Sequence, residues 1–142
     1  MMPTEAIDHL AIAPQSTTTA SSSVTSSQID ADRADQATIR LAFAAEVNTN
    51  AVGPTISVQH SDTTNATDFA TIVANRTTED ITSAKQVRYN VDLRGANRYL
   101  RVVITNGDST TNDLVTVAGF ISLHRNKEAP SGTAAQVATN GA

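Results

Sequence analysis

Four arginines are concentrated in one short segment of an otherwise acidic chain: Arg88, Arg94, Arg98 and Arg101. The 142 residues include 10 Lys and Arg against 14 Asp and Glu, which gives a net charge of -4. The planar guanidinium group pairs bidentately with carboxylates and is favoured where proteins contact each other. The cluster therefore predicts an interface with another subunit or a larger assembly, and solvated ion pairs to Asp92 or Glu79 are the alternative.

Residue types that support nucleophilic catalysis are present but carry no recognisable pattern. Hydroxyl groups are abundant, whereas the histidines are His9, His60 and His124, and no G-x-S-x-G motif occurs. We therefore expect no enzymatic activity, and we expect the three histidines at strand ends or on the surface.

Candidate ligands for a metal ion are limited to the acidic cluster Asp30, Asp32 and Asp35. The cluster lacks the glycine and the terminal glutamate of an EF-hand loop, so it is interpreted as a polar loop or as the N-terminus of a short helix. The chain has no cysteine and no glycine-rich loop that could hold a phosphate group. No metal and no cofactor are expected.

Composition restricts the classes of partner. An acidic chain is unsuited to nucleic acid, whose binding depends on clustered basic residues. The chain has no run of roughly 20 apolar residues and no N-terminal signal pattern, so neither a membrane nor secretion is expected. Hydrophobic residues make up 39% and aromatic residues 4% of the chain, which predicts a modest core of aliphatic side chains.

Alternation of apolar and polar residues predicts a series of short strands rather than helices. The predicted strands cover residues 7–13, 36–44, 55–60, 87–93, 99–105 and 114–124. Residues 69–74 form a short apolar run, and a helix start is considered at residues 29–37. Gly119 in the last strand is a candidate for a bulge. Short strands between turn signals indicate an all-β chain: an antiparallel, jelly-roll-like β-sandwich with extended N- and C-terminal arms.

The apolar phase of the most regular strands predicts the core. Its members are Tyr89, Val91, Leu100, Val102, Ile104, Val117 and Ile121.

The chain divides into three predicted parts. Residues 1–28 form an N-terminal strand and a Ser/Thr-rich arm, residues 29–125 form the sandwich domain, and residues 126–142 form a low-complexity tail. Residues 15–28 contain Val24 as their only large apolar side chain. This segment is either a flexible loop or an extended arm that becomes ordered against a partner.

Residues 87–102 read VRYNVDLRGANRYLRV, and this run resembles small structural proteins that decorate the heads of tailed phages. In such proteins a strand that ends in Asp-Leu-Arg leads into an Arg-Tyr-Leu-Arg strand. The resemblance extends over residues 37–123 and includes the strand and loop at residues 56–62, but not the tails. It carries no catalytic motif.

The resemblance implies a decoration (cement) protein: a jelly-roll-like homotrimer on the outer surface of the virion. Its partners would be the major capsid protein and copies of itself, and its role would be to stabilise the head by bridging neighbouring capsid subunits. The alternative is a tail or fibre accessory domain that binds a host surface glycan through exposed loops.

Overall fold

The computed structural model describes residues 4–18, 22–46, 53–77, 81–107 and 114–126. These residues form nine strands and a 3-10 helix at Ala66–Asp68. The strands are β1 (Thr4–Ser16), β2 (Ser23–Thr25), β3 (Ile29–Asp30), β4 (Gln36–Phe43), β5 (Thr55–Ser61), β6 (Ala70–Thr77), β7 (Lys85–Asp92), β8 (Tyr99–Thr105) and β9 (Thr116–Asn126). The prediction of an all-β chain is confirmed. Each of the six predicted strands is present, and the apolar run at residues 69–74 overlaps β6, whereas β2 and β3 were not predicted.

The strands form two antiparallel sheets with jelly-roll connectivity. The first sheet has the order β1-β9-β4-β7, and the second has the order β2-β8-β5-β6, with β3 also paired to β8. The first strand pairs with the last (β1 with β9), β2 pairs with β8, β4 with β7, and β5 with β6. This is the arrangement of a long hairpin that is rolled into two layers. The sheets enclose one apolar core, so each sheet presents an inner and an outer face.

The core consists mainly of aliphatic side chains from alternate strand positions. The most deeply buried large side chains are Ile12, Ile39, Leu41, Ile56, Ile81, Leu100, Ile104, Ile121, Leu123, Val58, Val102 and Val115. The predicted core is confirmed except for Tyr89, which packs against the core but is only partly buried. Tyr89 lies on β7, which has a neighbouring strand on one side only.

Gly119 lies where the pairing of β1 with β9 becomes irregular. Leu10 pairs with Phe120 and Ile12 with Gly119, so the additional residue, Ala11, belongs to β1. The predicted bulge is therefore present on the partner strand. A Cβ atom on Gly119 would lie 2.8 Å from the Leu41 Cδ2 atom, so a larger side chain here would have to displace Leu41.

The Ser/Thr-rich segment, predicted as an arm, is part of the sandwich. β2 pairs with β8, and Val24 is 4% exposed within the common core. Thr17 is buried, and its hydroxyl accepts a hydrogen bond of 3.1 Å from the Val115 amide. The division at residue 28 is therefore wrong, because this segment satisfies backbone groups of the sandwich through its hydroxyls. Residues 19–21 and 127–142, including almost all of the predicted C-terminal tail, lie outside the described residues.

Ser26 lies between β2 and β3, where its hydroxyl takes the place of a strand carbonyl as hydrogen-bond acceptor for β8. Its hydroxyl accepts a 2.8 Å hydrogen bond from the Val102 amide and donates to the Ser27 carbonyl at 2.8 Å. We expect Ser26→Ala to lower the free energy of unfolding by about 1–3 kcal/mol, because the buried Val102 amide loses the acceptor that the Ser26 hydroxyl provides. Urea denaturation would measure the loss, with exposed Ser27→Ala as the matched control. Equal midpoints for the two variants would contradict this role.

Residues 29–35 form a strand and a turn, and the helix considered at residues 29–37 is not present. β3 pairs with the start of β8, and Arg33 then adopts a left-handed conformation with φ of 64°. The turn reverses the chain into β4 within a few residues, which leaves no room for a helical turn. Within the described ranges, no helix has the length and apolar character needed to cross a membrane.

Candidate functional site

Arg94 pairs with a carboxylate of its own turn. Its guanidinium binds both oxygens of Asp92, with an Nη2–Oδ2 distance of 2.7 Å, and the Arg94 amide donates to Oδ1 at 3.0 Å. The pKa of Asp92 is lowered to about 2, mainly by the hydrogen bonds from the Arg94 side chain. This pair matches the solvated ion pair with Asp92 that was the alternative to an interface.

Arg98 also has an internal partner. It forms a bidentate pair with Asp30 of β3, with an Nη2–Oδ2 distance of 2.7 Å, and its guanidinium lies 5.2 Å from the centre of the Tyr99 ring. The pair links β3 to the start of β8. Both side chains are about half exposed, so solvent screens the interaction and its effect on stability is small.

The Arg98–Asp30 pair predicts a weak dependence of stability on pH. The hydrogen bond from Arg98 lowers the pKa of Asp30 below its ordinary value of 3.8. The folded protein therefore binds fewer protons at this carboxyl group than the unfolded chain does. The contribution to stability is complete above that ordinary value and is lost as the pH falls through the lower pKa of the folded state.

We expect Asp30→Asn to lower the urea midpoint slightly at neutral pH. The difference from the parent protein should shrink as the pH is lowered below 3.8, the ordinary pKa of this carboxyl group. Asp62→Asn, at an exposed position in the loop before the 3-10 helix, provides the control. A midpoint difference for Asp30→Asn that stays constant from neutral to acidic pH would contradict the assignment.

Arg101 lies on the outer face of the second sheet. Its Nε atom donates to Gln59 Oε1 at 2.7 Å, and its guanidinium lies 4.1 Å from the centre of the Phe69 ring. Arg88 projects from β7, on the outer face of the first sheet. The predicted arginine cluster is therefore not a single patch, because β7 and β8 belong to different sheets and do not form a hairpin.

Arg88 belongs to a row of side chains that crosses the first sheet. Strand register places Leu10, Phe120, Arg40 and Arg88 opposite one another on four successive strands. Leu10 is 55% exposed and Phe120 is 46% exposed, and they are the large exposed hydrophobic residues of the described part of the chain. We call these four residues the apolar-arginine row. Phe120 and Leu10 were not singled out from the sequence. The detectable signal is that each is a large apolar residue at a strand position whose neighbours on the same face are mostly polar.

A network of polar side chains runs beside this row. Arg40 donates to Ser122 Oγ at 2.8 Å and lies 3.5 Å from Asp8 Oδ1, which also accepts a short hydrogen bond from Ser122. The Thr38 hydroxyl donates to Asn90 Oδ1 at 3.0 Å. These side chains line open depressions on the outer face together with Arg88 and His124. Arg40 and Arg88 are both exposed, and the network holds Arg40 in place.

The same network contains a serine, a histidine and an aspartate, but their hydrogen bonds do not build a triad. Ser122 donates directly to Asp8, and His124 Nε2 contacts the Thr38 hydroxyl at 3.1 Å. His60 lies in the other sheet, where its Nδ1 atom accepts from the Asn97 amide at 2.9 Å. Among the residues described, no group of three or more acidic or histidine side chains could hold a metal ion.

Solved structures of viral particles contain chains with a similar fold. A chain of the Gt strain of infectious bursal disease virus aligns with a TM-score of 0.56 and 9% identity, over 87% of this chain and 32% of its own length. A chain of the VP2 subviral particle of that virus aligns with a TM-score of 0.54 and 10% identity, over 87% of this chain and 33% of its own length. A bacterial protein, latent PorU from Porphyromonas gingivalis, aligns with a TM-score of 0.50 and 12% identity, over 91% of this chain and 13% of its own length.

This chain therefore spans about a third of the length of the viral chains that it matches. No protein-family model and no curated protein matches the sequence. At identities of 9–12% the likeness concerns the fold alone. The chain has the antiparallel β-sandwich fold that also occurs in chains of viral particles.

Proposed function

We propose that this protein is a structural virion component that binds the outer surface of a phage capsid and stabilises the head by bridging neighbouring capsid subunits. The observation that carries the proposal is the apolar-arginine row, which combines two exposed hydrophobic side chains with two arginines on a continuous sheet. Aromatic residues and arginine are enriched at protein interfaces. The fold shared with chains of viral particles and the resemblance of residues 87–102 to head-decoration proteins agree with this role.

Self-association as a homotrimer is part of the proposal. Three copies held together would present three apolar-arginine rows to a capsid lattice, so that weak individual contacts combine into tight attachment. Sedimentation equilibrium of the purified protein at micromolar concentration would test it. A trimer is the expected result, and a monomer that also shows no threefold clustering on heads would contradict it.

The central experiment is binding of the purified protein to isolated, expanded phage heads. We expect saturation at a fixed ratio to the major capsid protein, and a higher temperature of head disruption once the sites are filled. Phe120→Ser should weaken binding by about tenfold or more, since it removes a central apolar contact. Val103→Ser removes an apolar side chain from the outer face of the second sheet and is the matched control.

Binding that does not saturate, or that is equally weakened by both variants, would contradict this function and its site.

A second candidate, recognition of a host surface glycan, is favoured by one observation: the exposed Phe120 ring lies beside a row of polar groups. Sugars stack on such rings and bind such groups. The glycan function ranks lower because these polar groups already have partners: Asp8 and Ser122 bond each other and Arg40, and Thr38 bonds Asn90. In addition, Leu10 offers no ring.

A further inference from the structure

We propose that the apolar-arginine row binds an extended acidic segment of its protein partner. An apolar side chain of the segment would cover Leu10 and Phe120, and a carboxylate three positions along would lie between Arg40 and Arg88. The inference rests on the proposed function and names the chemistry of the partner.

The charges of the row favour a carboxylate. Arg40 and Arg88 are directly opposite each other in the pairing of β4 with β7, and like charges at such positions repel. The nearby carboxylate of Asp8 is 3.5 Å from Arg40 and is shared with Ser122. Asp92, on the same face of β7, is already held by the Nε and Nη2 atoms of Arg94.

Among the described residues of this face, Arg88 is therefore the cation that is left to an incoming anion. It is exposed, and within the described part of the chain it forms no ion pair or hydrogen bond. A carboxylate placed between the two guanidinium groups would relieve their repulsion and accept charge-assisted hydrogen bonds from both.

The apolar half of the row favours a protein segment over a sugar. Leu10 and Phe120 are neighbours across the β1–β9 pairing and are both about half exposed. Ala42 and Ala118 pair in the next outward-facing positions of β4 and β9, so the surface beside Phe120 stays low and apolar. Burial of aliphatic and aromatic surface stabilises a complex in proportion to the area removed from water.

Sheet geometry predicts the spacing of the two contacts. Neighbouring strands are about 4.8 Å apart, so the centre of the Leu10–Phe120 pair lies roughly 10 Å from the centre of the Arg40–Arg88 pair. A polyproline II segment rises about 3.1 Å per residue and repeats its side-chain direction every three residues. Its residues i and i+3 therefore lie on one face at about 9 Å, which matches the row better than β-strand spacing does.

The test is an NMR titration of the full chain with the peptide acetyl-Phe-Pro-Pro-Glu-amide. We expect shifts of backbone amides near Phe120, Arg40 and Arg88, and binding about tenfold tighter than for acetyl-Phe-Pro-Pro-Gln-amide. Arg88→Gln should remove the preference for Glu over Gln. Arg94→Gln, which changes an exposed arginine that has an internal partner, should keep that preference.

Equal binding of the Glu and Gln peptides, or shifts confined to other surfaces, would overturn the inference. Shifts of the same amides by a glucuronic acid oligosaccharide but by neither peptide would also overturn it, in favour of a glycan site. Urea midpoints close to that of the parent protein would show that each variant is folded, as expected for exposed positions.

Head binding separates this inference from the proposed function. If the peptide binds as expected but heads do not, the proposed function fails and the acidic-segment site stands. If heads are bound equally by the parent protein and by Arg88→Gln, and the peptide shows no preference for Glu, the inference fails and the proposed function stands.

Discussion

Replacement of Ile121 by alanine is expected to lower the free energy of unfolding by roughly 2–5 kcal/mol. Ile121 is 1% exposed and lies in β9, between His9 of β1 and Ile39 of β4. The substitution removes three carbon atoms from a site enclosed by neighbours on both sides, so the sheet cannot collapse fully into the space. Urea denaturation monitored by circular dichroism would measure the loss.

The adjacent residue provides a matched control for this substitution. Phe120 lies on the same strand but points to the outer face and is 46% exposed. We expect Phe120→Ala to change stability far less than Ile121→Ala, although it removes more atoms. A larger loss for Phe120→Ala would show that the faces of β9 are assigned the wrong way round.

The second large effect is expected at Val24, in the segment first predicted to be an arm. Val24→Asp should lower the free energy of unfolding by about 3 kcal/mol or more, because Val24 is buried opposite Ile104 and an unpaired carboxylate there loses its hydration. Release of β2 from the sandwich would not avoid the cost, since it exposes Ile104 and breaks the pairing with β8. A loss of this size is a large part of the stability of a typical domain.

Thr25→Asp is the matched control, because Thr25 is the next residue of β2 and is exposed. We expect a change within about 0.5 kcal/mol for this surface substitution. Urea midpoints and NMR spectra of both variants would be compared with those of the parent protein. If Val24→Asp is as stable as Thr25→Asp, residues 15–28 behave as a flexible loop, which was one of the two interpretations of this segment.

Strands whose two faces differ in polarity could be predicted from sequence. In β4, β8 and β9 every second residue is apolar, and this period of two decides which side chains enter the core. The short strands β2 and β3 could not be predicted in this way, because two or three residues contain no period. The hydroxyl-rich residues 15–28 were interpreted as a flexible loop or as an extended arm. In the structure, the hydroxyls of Thr17 and Ser26 instead accept hydrogen bonds from the Val115 amide, just before β9, and from the Val102 amide of β8.

The candidate site, too, could be predicted from the sequence only in part. The arginines were detectable as a cluster in sequence, but adjacent strands in the chain need not be adjacent in a sheet. β7 continues into the other sheet as β8, which separates Arg88 from Arg101. Arg40, Phe120 and Leu10 come from distant parts of the chain and meet Arg88 only through strand register.

Local patterns in the sequence determined the strand class, the strand positions, the aliphatic core and the acidic, cysteine-free surface, because these depend on residue type and on a short repeat. Tertiary structure decided the order of the strands, the place of residues 22–30 in the second sheet and the neighbours of each arginine. Those features depend on pairing between residues 38 to 122 positions apart, and long-range pairing is selected by packing of the whole chain rather than by local preference.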